Sequence, residues 1–236
     1  MFNILFLFVI IPVLTLGGLF LTRNVKQVRA VAATGASMLL LAAIYLCYAF
    51  VTEKALPENA GQAMLFVDSF MWFEPLNIHL AVGVDGISVL MIMLSAIIVF
   101  TGTFASWKVE PLTKEYFLWF ILLSIGVFGF FISIDLFTMF MFYEVALIPM
   151  YLLIGVWGSG NKNYAAMKLT LMLMGGSAFL LISILGIYYH AGETMNLLEI
   201  AANGVDAGWQ NALFVCAFVG FGVLGAMFPF HTWSPD

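Results

Sequence analysis

The chain has 236 residues, of which 64% are hydrophobic and 9% charged, and its mean hydropathy is +1.08. Ordinary soluble domains carry about 25% charged residues, so this composition excludes a soluble globular domain and marks an integral membrane protein. The formal charge of −5 is spread over loops with no basic run, which excludes nucleic acid as a partner; Cys47 and Cys216 sit inside apolar runs, where they read as small buried hydrophobes rather than a disulfide or a metal site.

The apolar runs predict an all-α fold, a polytopic transmembrane helix bundle of about seven helices forming one membrane domain over 1–236. The first run, 2–22, has no Lys or Arg before it and no small-residue cleavage pattern, so a retained span is expected rather than a signal peptide, and Pro12 implies a kink. Arg23, Lys26 and Arg29 form a basic turn, after which a second run covers 30–51. From Thr52 to Gly86 the chain is expected outside the membrane. Met64 to Phe73 is apolar but about 15 Å long as a helix, too short to span, and with Trp72 it suits an interfacial segment. Ile78, Leu80, Val82 and Val84 then alternate with Asn77, His79, Ala81 and Gly83, the period of a half-buried strand, read as one arm of a small outer β-hairpin between helices 2 and 3. His79 reads there as a surface strand residue rather than a ligand.

The third and fourth spans are predicted at 87–107 and 116–134, joined by a loop containing Lys108 and Lys114. Asp135 separates the fourth span from the fifth, at 136–156, and suits an N-cap of the fifth helix. A short turn holding Lys162 leads into the sixth span, 164–189, with Lys168 in its first turns. His190 to Gly208 is a loop in which Asn196 and Glu199 suggest a capping box and Gly204 a helix stop. The seventh span is predicted at 209–228. Lys and Arg collect after spans one, three and five, while the alternate loops hold only Lys54, so the positive-inside rule places the N-terminus outside.

Within the fifth span stand one carboxylate, Glu144, and one proline, Pro149. A charged side chain at a helix centre in hydrocarbon costs at least about 2.5–3.5 kcal/mol, so such a residue faces protein or water and has a task. Pro149 has no N–H and leaves the carbonyl of Val145 without its helical donor, which calls for a water or a polar side chain at that spot. Two roles are open to Glu144, a working acid or interhelical glue. Lys168 has two as well: a proton-transfer partner communicating with Glu144 through water, or an anchor that snorkels to the interface. Pro229 is expected to break the seventh helix and free the carbonyl of Gly225; His231, two residues on, titrates near neutral pH and is a candidate for proton transfer or for a structural hydrogen bond to that backbone.

Gly83-Val84-Asp85-Gly86-Ile87-Ser88, the run Asp135 to Gly158, Ala165-Ala166-Met167-Lys168, Gly176-Ser177, and Pro229-Phe230-His231-Thr232-Trp233-Ser234-Pro235-Asp236 occur in an order that resembles the antiporter-like membrane subunits of respiratory complex I. The resemblance implies a proton-translocating subunit of a bacterial inner-membrane NADH-quinone oxidoreductase, working with the complex's other membrane subunits in the lipid bilayer. It implies no cofactor in this chain, since NADH, FMN, iron–sulfur clusters and quinone would be handled by partner subunits, and a full subunit of about fourteen helices of which this is roughly the first half. It implies Glu144 paired with a lysine of the broken seventh helix; the candidate proton-transfer residues are Glu144, with Lys168 and His231 from the reading of the residues above. One departure stands out: where relatives of this type carry a lysine in the seventh helix, five residues before Pro229, this chain has Leu224. Subunits of sodium/proton antiporters and membrane-bound hydrogenases share these helices and form the alternative reading. A retinal protein, the other seven-helix class, needs a lysine in its last helix, and no Lys or Arg follows Lys168.

Overall fold

In the computed structural model, which describes residues 3–59 and 61–235, seven helices are long and apolar enough to cross a membrane. They are α1 (Leu7–Leu21, preceded by a 3-10 turn at Ile4–Phe6), α2 (Val25–Lys54), α3 (Gly86–Ala105), α4 (Thr113–Ile132), α5 (Leu136–Trp157), α6 (Lys162–His190) and α8 (Ala207–Leu224). A short helix, α7 (Leu197–Asn203), precedes α8, and strands β1 (Leu65–Phe73) and β2 (Ile78–Val84) pair in a two-stranded sheet between α2 and α3. The all-α membrane fold and the hairpin agree with the sequence. Phe2 and Asp236, within the expected first span and the C-terminal motif, lie outside the described residues.

Several expectations need correcting. Met64 to Phe73 is not a separate interfacial segment but includes β1, the second arm of the hairpin, because β2 supplies its backbone with hydrogen-bonding partners. The second helix begins at Val25 rather than at residue 30 and so includes Lys26 and Arg29. The last span stops at Leu224, not at 228: Gly225 caps it, its N–H donating to Phe221 O at 2.8 Å, and Ala226 adopts a left-handed φ of 50° that no helix continues through. Pro229 therefore lies beyond the break rather than causing it.

The chain packs as two compact units, Met1–Asp68 with Val82–Ser133, and Ser69–Ala81 with Ile134–Asp236. In the first, α1 packs on α2 and α4, and α2 on α3, around a core of Leu5, Phe8, Leu39, Leu46, Val84, Ile92, Phe128 and Ile132. Gly35 sits where α1 crosses α2, since a Cβ there would run into the side chain of Thr15. Asp85 caps α3, its carboxylate accepting from Ser88 N at 2.7 Å.

In the second unit α6 packs against both α5 and α8. The α6–α8 contact is set by glycine: a Cβ on Gly176 would lie 2.8 Å from Val223 Cβ, and one on Gly220 would lie 2.9 Å from the Gly176 carbonyl. Small residues at such crossings let backbones approach, the source of dispersion energy between helices in lipid. The start of α5 is held by Asp135, which is fully buried. One of its oxygens accepts from Thr138 N at 3.0 Å, the N-cap bond expected from sequence, and the other from His79 N at 3.1 Å. Thr138 Oγ1 donates to His79 O at 2.9 Å, and Leu136 N to Met195 O at 2.9 Å. Asn196 caps α7 by accepting from Leu198 N at 2.9 Å, and Gly204 ends it at φ 72°. Glu199 does not close a reciprocal box on Asn196; it accepts from the Thr194 hydroxyl, whose oxygen in turn accepts from Asn196 N at 3.2 Å.

Candidate functional site

Pro149 is buried inside a continuous α5, five residues beyond Glu144. Glu144 is half-buried, and its Oε1 is fully buried with no hydrogen-bond partner among the described residues. The neighbour of the carboxylate is Ser177 on α6. The Ser177 hydroxyl donates to Met174 O at 3.0 Å, one turn back on its own helix. Beside them the Tyr143 hydroxyl donates to Leu173 O at 3.3 Å and ties α5 to α6 at the same level. Gly176, adjacent to Ser177, is one of the close contacts with α8, so the acid lies near the level where α6 meets α5 on one side and α8 on the other.

Orphaned polar atoms are rare inside proteins because leaving one unpaired costs about 1–3 kcal/mol. An unpaired carboxylate oxygen beside a hydroxyl can hold a proton or accept a hydrogen bond from a water, which is the chemistry of a proton-transfer station.

Ser177 was missed as a partner of Glu144. Its signal lay in the sequence only as the dipeptide Gly176-Ser177; pairing it with Glu144, thirty-three residues away, needs the α5–α6 register.

Lys168 is on the same helix as Ser177, nine residues nearer its start, about 13 Å along the axis. Its ammonium lies 5.5 Å from the Tyr164 ring centroid. The α6 residue level with Glu144 is thus Ser177. Towards the α5–α6 turn opens a cleft of about 290 Å³ whose lining includes Met150, Ile154, Gly158, Ala165, Leu169 and Trp233. It starts six residues past Glu144 on α5, and Leu169 follows Lys168 directly.

His231 lies apart from this group, exposed in a 3-10 turn at Phe230–Trp233, its ring 5.7 Å from that of Phe228. The backbone freed at the end of α8 is met by another side chain: Trp233 Nε1 donates to Val223 O at 3.0 Å. Leu224, in the position of the expected lysine, packs against the cluster of Leu147, Leu169, Leu173 and Val223. Leu147 is one turn along α5 from Glu144, so the site's third wall is apolar.

Residues 133–236 match a family model described as NADH:quinone oxidoreductase/Mrp antiporter, transmembrane. Over 192 residues the chain is 36% identical to NADH-quinone oxidoreductase subunit M of Rhodobacter capsulatus, an alignment covering 76% of this chain and 37% of that protein. The chain belongs to this family. It spans a little over a third of the length of that curated family member. Among solved structures, family architecture recurs in a chain of respiratory complex I from Thermus thermophilus with bound NADH, at a TM-score of 0.82 and 24% identity, covering 98% of this chain and 46% of that one. A chain of the Mrp complex from a Dietzia species is similar at a TM-score of 0.80 and 22% identity, covering 98% and 42%. These two show the family's fold, with Glu144, Pro149 and Ser177 all inside the segment that the family model matches.

Proposed function

We propose that this chain is part of a proton-translocating membrane subunit of a bacterial NADH-quinone oxidoreductase, in the inner membrane, with Glu144 as the site where a proton is held during transfer. As a subunit of that translocase it carries no redox chemistry of its own; NADH, FMN, iron–sulfur clusters and quinone belong to partner subunits, and other membrane subunits are its neighbours. The observation that carries the reading is the buried, unpartnered Oε1 of Glu144 at the meeting of α5, α6 and α8. Lys168, nine residues from Ser177 along α6, is assigned to proton exchange with Glu144 through water, and His231 to exchange at the 3-10 turn after α8.

Glu144→Gln keeps the shape and hydrogen-bonding of the side chain but has no proton to release. In the assembled complex it is expected to lower proton uptake into vesicles per quinone reduced while leaving the amount of assembled complex intact. Unchanged stoichiometry would reduce Glu144 to interhelical glue. The Mrp-like architecture favours a sodium/proton antiporter or membrane-bound hydrogenase subunit as second reading. The neighbouring genes separate the two readings: those for the NADH-binding and quinone-binding subunits support the first.

A further inference from the structure

Five of the eight Lys and Arg residues of the chain collect at one end of the first unit. Arg23 follows α1, Lys26 and Arg29 stand in the first turns of α2, Lys108 follows α3 and Lys114 stands in the first turn of α4. Contacts bring these segments together. The Arg29 guanidinium lies 5.9 Å from the Trp107 ring centroid, and Lys114 Nζ donates to Phe20 O at 3.0 Å and Thr22 O at 2.9 Å, next to Arg23. Among the described residues none of the five forms an ion pair. Glu110 and Glu115, the carboxylates of the α3–α4 connection, are exposed.

Clustered like charges repel, and the positive-inside bias alone explains basic loops without explaining a buried donor. Arg29 Nε is buried and has no hydrogen-bond partner among the described residues. A guanidinium held over an indole face is fixed in direction, with the donors of its fork free to bind an anion. The first amides of α2 receive no side-chain cap from Asn24; a helix start adds a positive partial charge.

The level in the membrane identifies the anion's source. At 30 residues α2 is about 45 Å long, the full thickness of a bilayer with its headgroups, so its first turns lie at headgroup depth. Trp107 suits that depth, and Phe20, Leu21, Val25 and Phe104 are exposed alongside as an apolar flank for acyl chains.

We propose that Arg29, Trp107 and the surrounding Arg23, Lys26, Lys108 and Lys114 bind the phosphate of an anionic phospholipid headgroup. Arg29 supplies the oriented hydrogen bonds, the four other cations the local field, and the exposed aromatic and aliphatic side chains the seat for the acyl chains.

The test is native mass spectrometry of the full chain released from micelles holding equal amounts of phosphatidylglycerol and phosphatidylethanolamine. Retained phosphatidylglycerol is expected to exceed phosphatidylethanolamine. Each basic residue near the surface contributes about a fivefold factor, so Arg29→Ala should lower retention about fivefold and Lys54→Ala, at the other end of α2, should leave it unchanged. If Arg29→Ala does not fold, the double variant Lys26→Ala/Lys108→Ala serves, with a larger expected loss. Four results overturn the proposal: equal retention of the two lipids, retention unaffected by Arg29→Ala, an equal loss with Lys54→Ala, or displacement of the lipid by millimolar inorganic phosphate or by an acidic peptide.

Discussion

At the residue scale the chain is organised by two carboxylates with opposite solutions to burial. Asp135 accepts from two backbone N–H groups and is satisfied; Glu144 keeps one oxygen unpaired. Removing the Asp135 carboxylate takes away a helix cap, worth about 0.5–2 kcal/mol, and strands the His79 N–H, worth about 1–3 more. Asp135→Ala is therefore expected to destabilise by roughly 1.5–5 kcal/mol, read as a lowered unfolding temperature in detergent, with Asp135→Asn milder. Leu224 offers a sharper test of Glu144. Leu224→Lys places an ammonium in the apolar cluster of Leu147, Leu169 and Leu173, one turn along α5 from the acid at Leu147. With Glu144 present it gains a counter-charge; in a Glu144→Gln background the buried charge has none, a situation that costs about 3–5 kcal/mol. The double variant should unfold well below either single variant, and additive losses would place the two side chains out of reach of each other. Glu144 and the cap role of Asp135 were legible in the sequence because each is a polar residue at a place where polarity is costly or geometrically demanded. Ser177 was not, because a serine on an apolar helix has no intrinsic direction until its neighbour is known.

At the element scale, helices were legible and their ends less so. Long apolar runs can adopt little else in lipid, where every backbone group must be satisfied within its segment. Ends are decided by local competition: α8 stops at Gly225 and Ala226, where Ala226 N donates to Val223 O and Met227 N to Gly222 O at 2.8 Å instead of continuing the helical ladder, and Gly225 is the one mark of that stop within 225–228. The first strand was hidden for a related reason. Phe66, Val67, Phe70, Met71, Trp72 and Phe73 are apolar on both faces, so the alternation that exposed β2 is missing from β1. The α6–α8 contact makes a clean prediction. Gly220→Ala forces a methyl against Leu180 and the Gly176 carbonyl, an overpacking expected to cost about 1–3 kcal/mol, whereas Gly175→Ala, with open space around it, should be neutral. Thermal unfolding of the two variants side by side checks this.

At the scale of the whole molecule, the distribution of Lys and Arg proposes an N-terminus outside. Asn3 is a poor reporter of this, because its side chain donates to Phe66 O at 2.6 Å. Exposed Glu58 and Lys26 are better. In a background with Cys47 and Cys216 replaced by serine, Glu58→Cys should be labelled by an impermeant maleimide only from the periplasmic side and Lys26→Cys only from the cytoplasmic side; the reverse pattern inverts the topology.

The clasp around Asp135 also bears on how α5 can move. One end of the helix is pinned through Asp135, Leu136 and Thr138 to the strand tip and to the segment before α7. Past the acid, Pro149 removes a backbone bond, and past that the helix borders the cleft along one side while Met150 and Ile154 pack on the core it shares with α6. A rod clamped at one end and softened in the middle bends only beyond the soft point. Glu144, on the clamped side, would then stay in register with Ser177 while the free arm swings, so that the width of the cleft changes under an acid that does not travel.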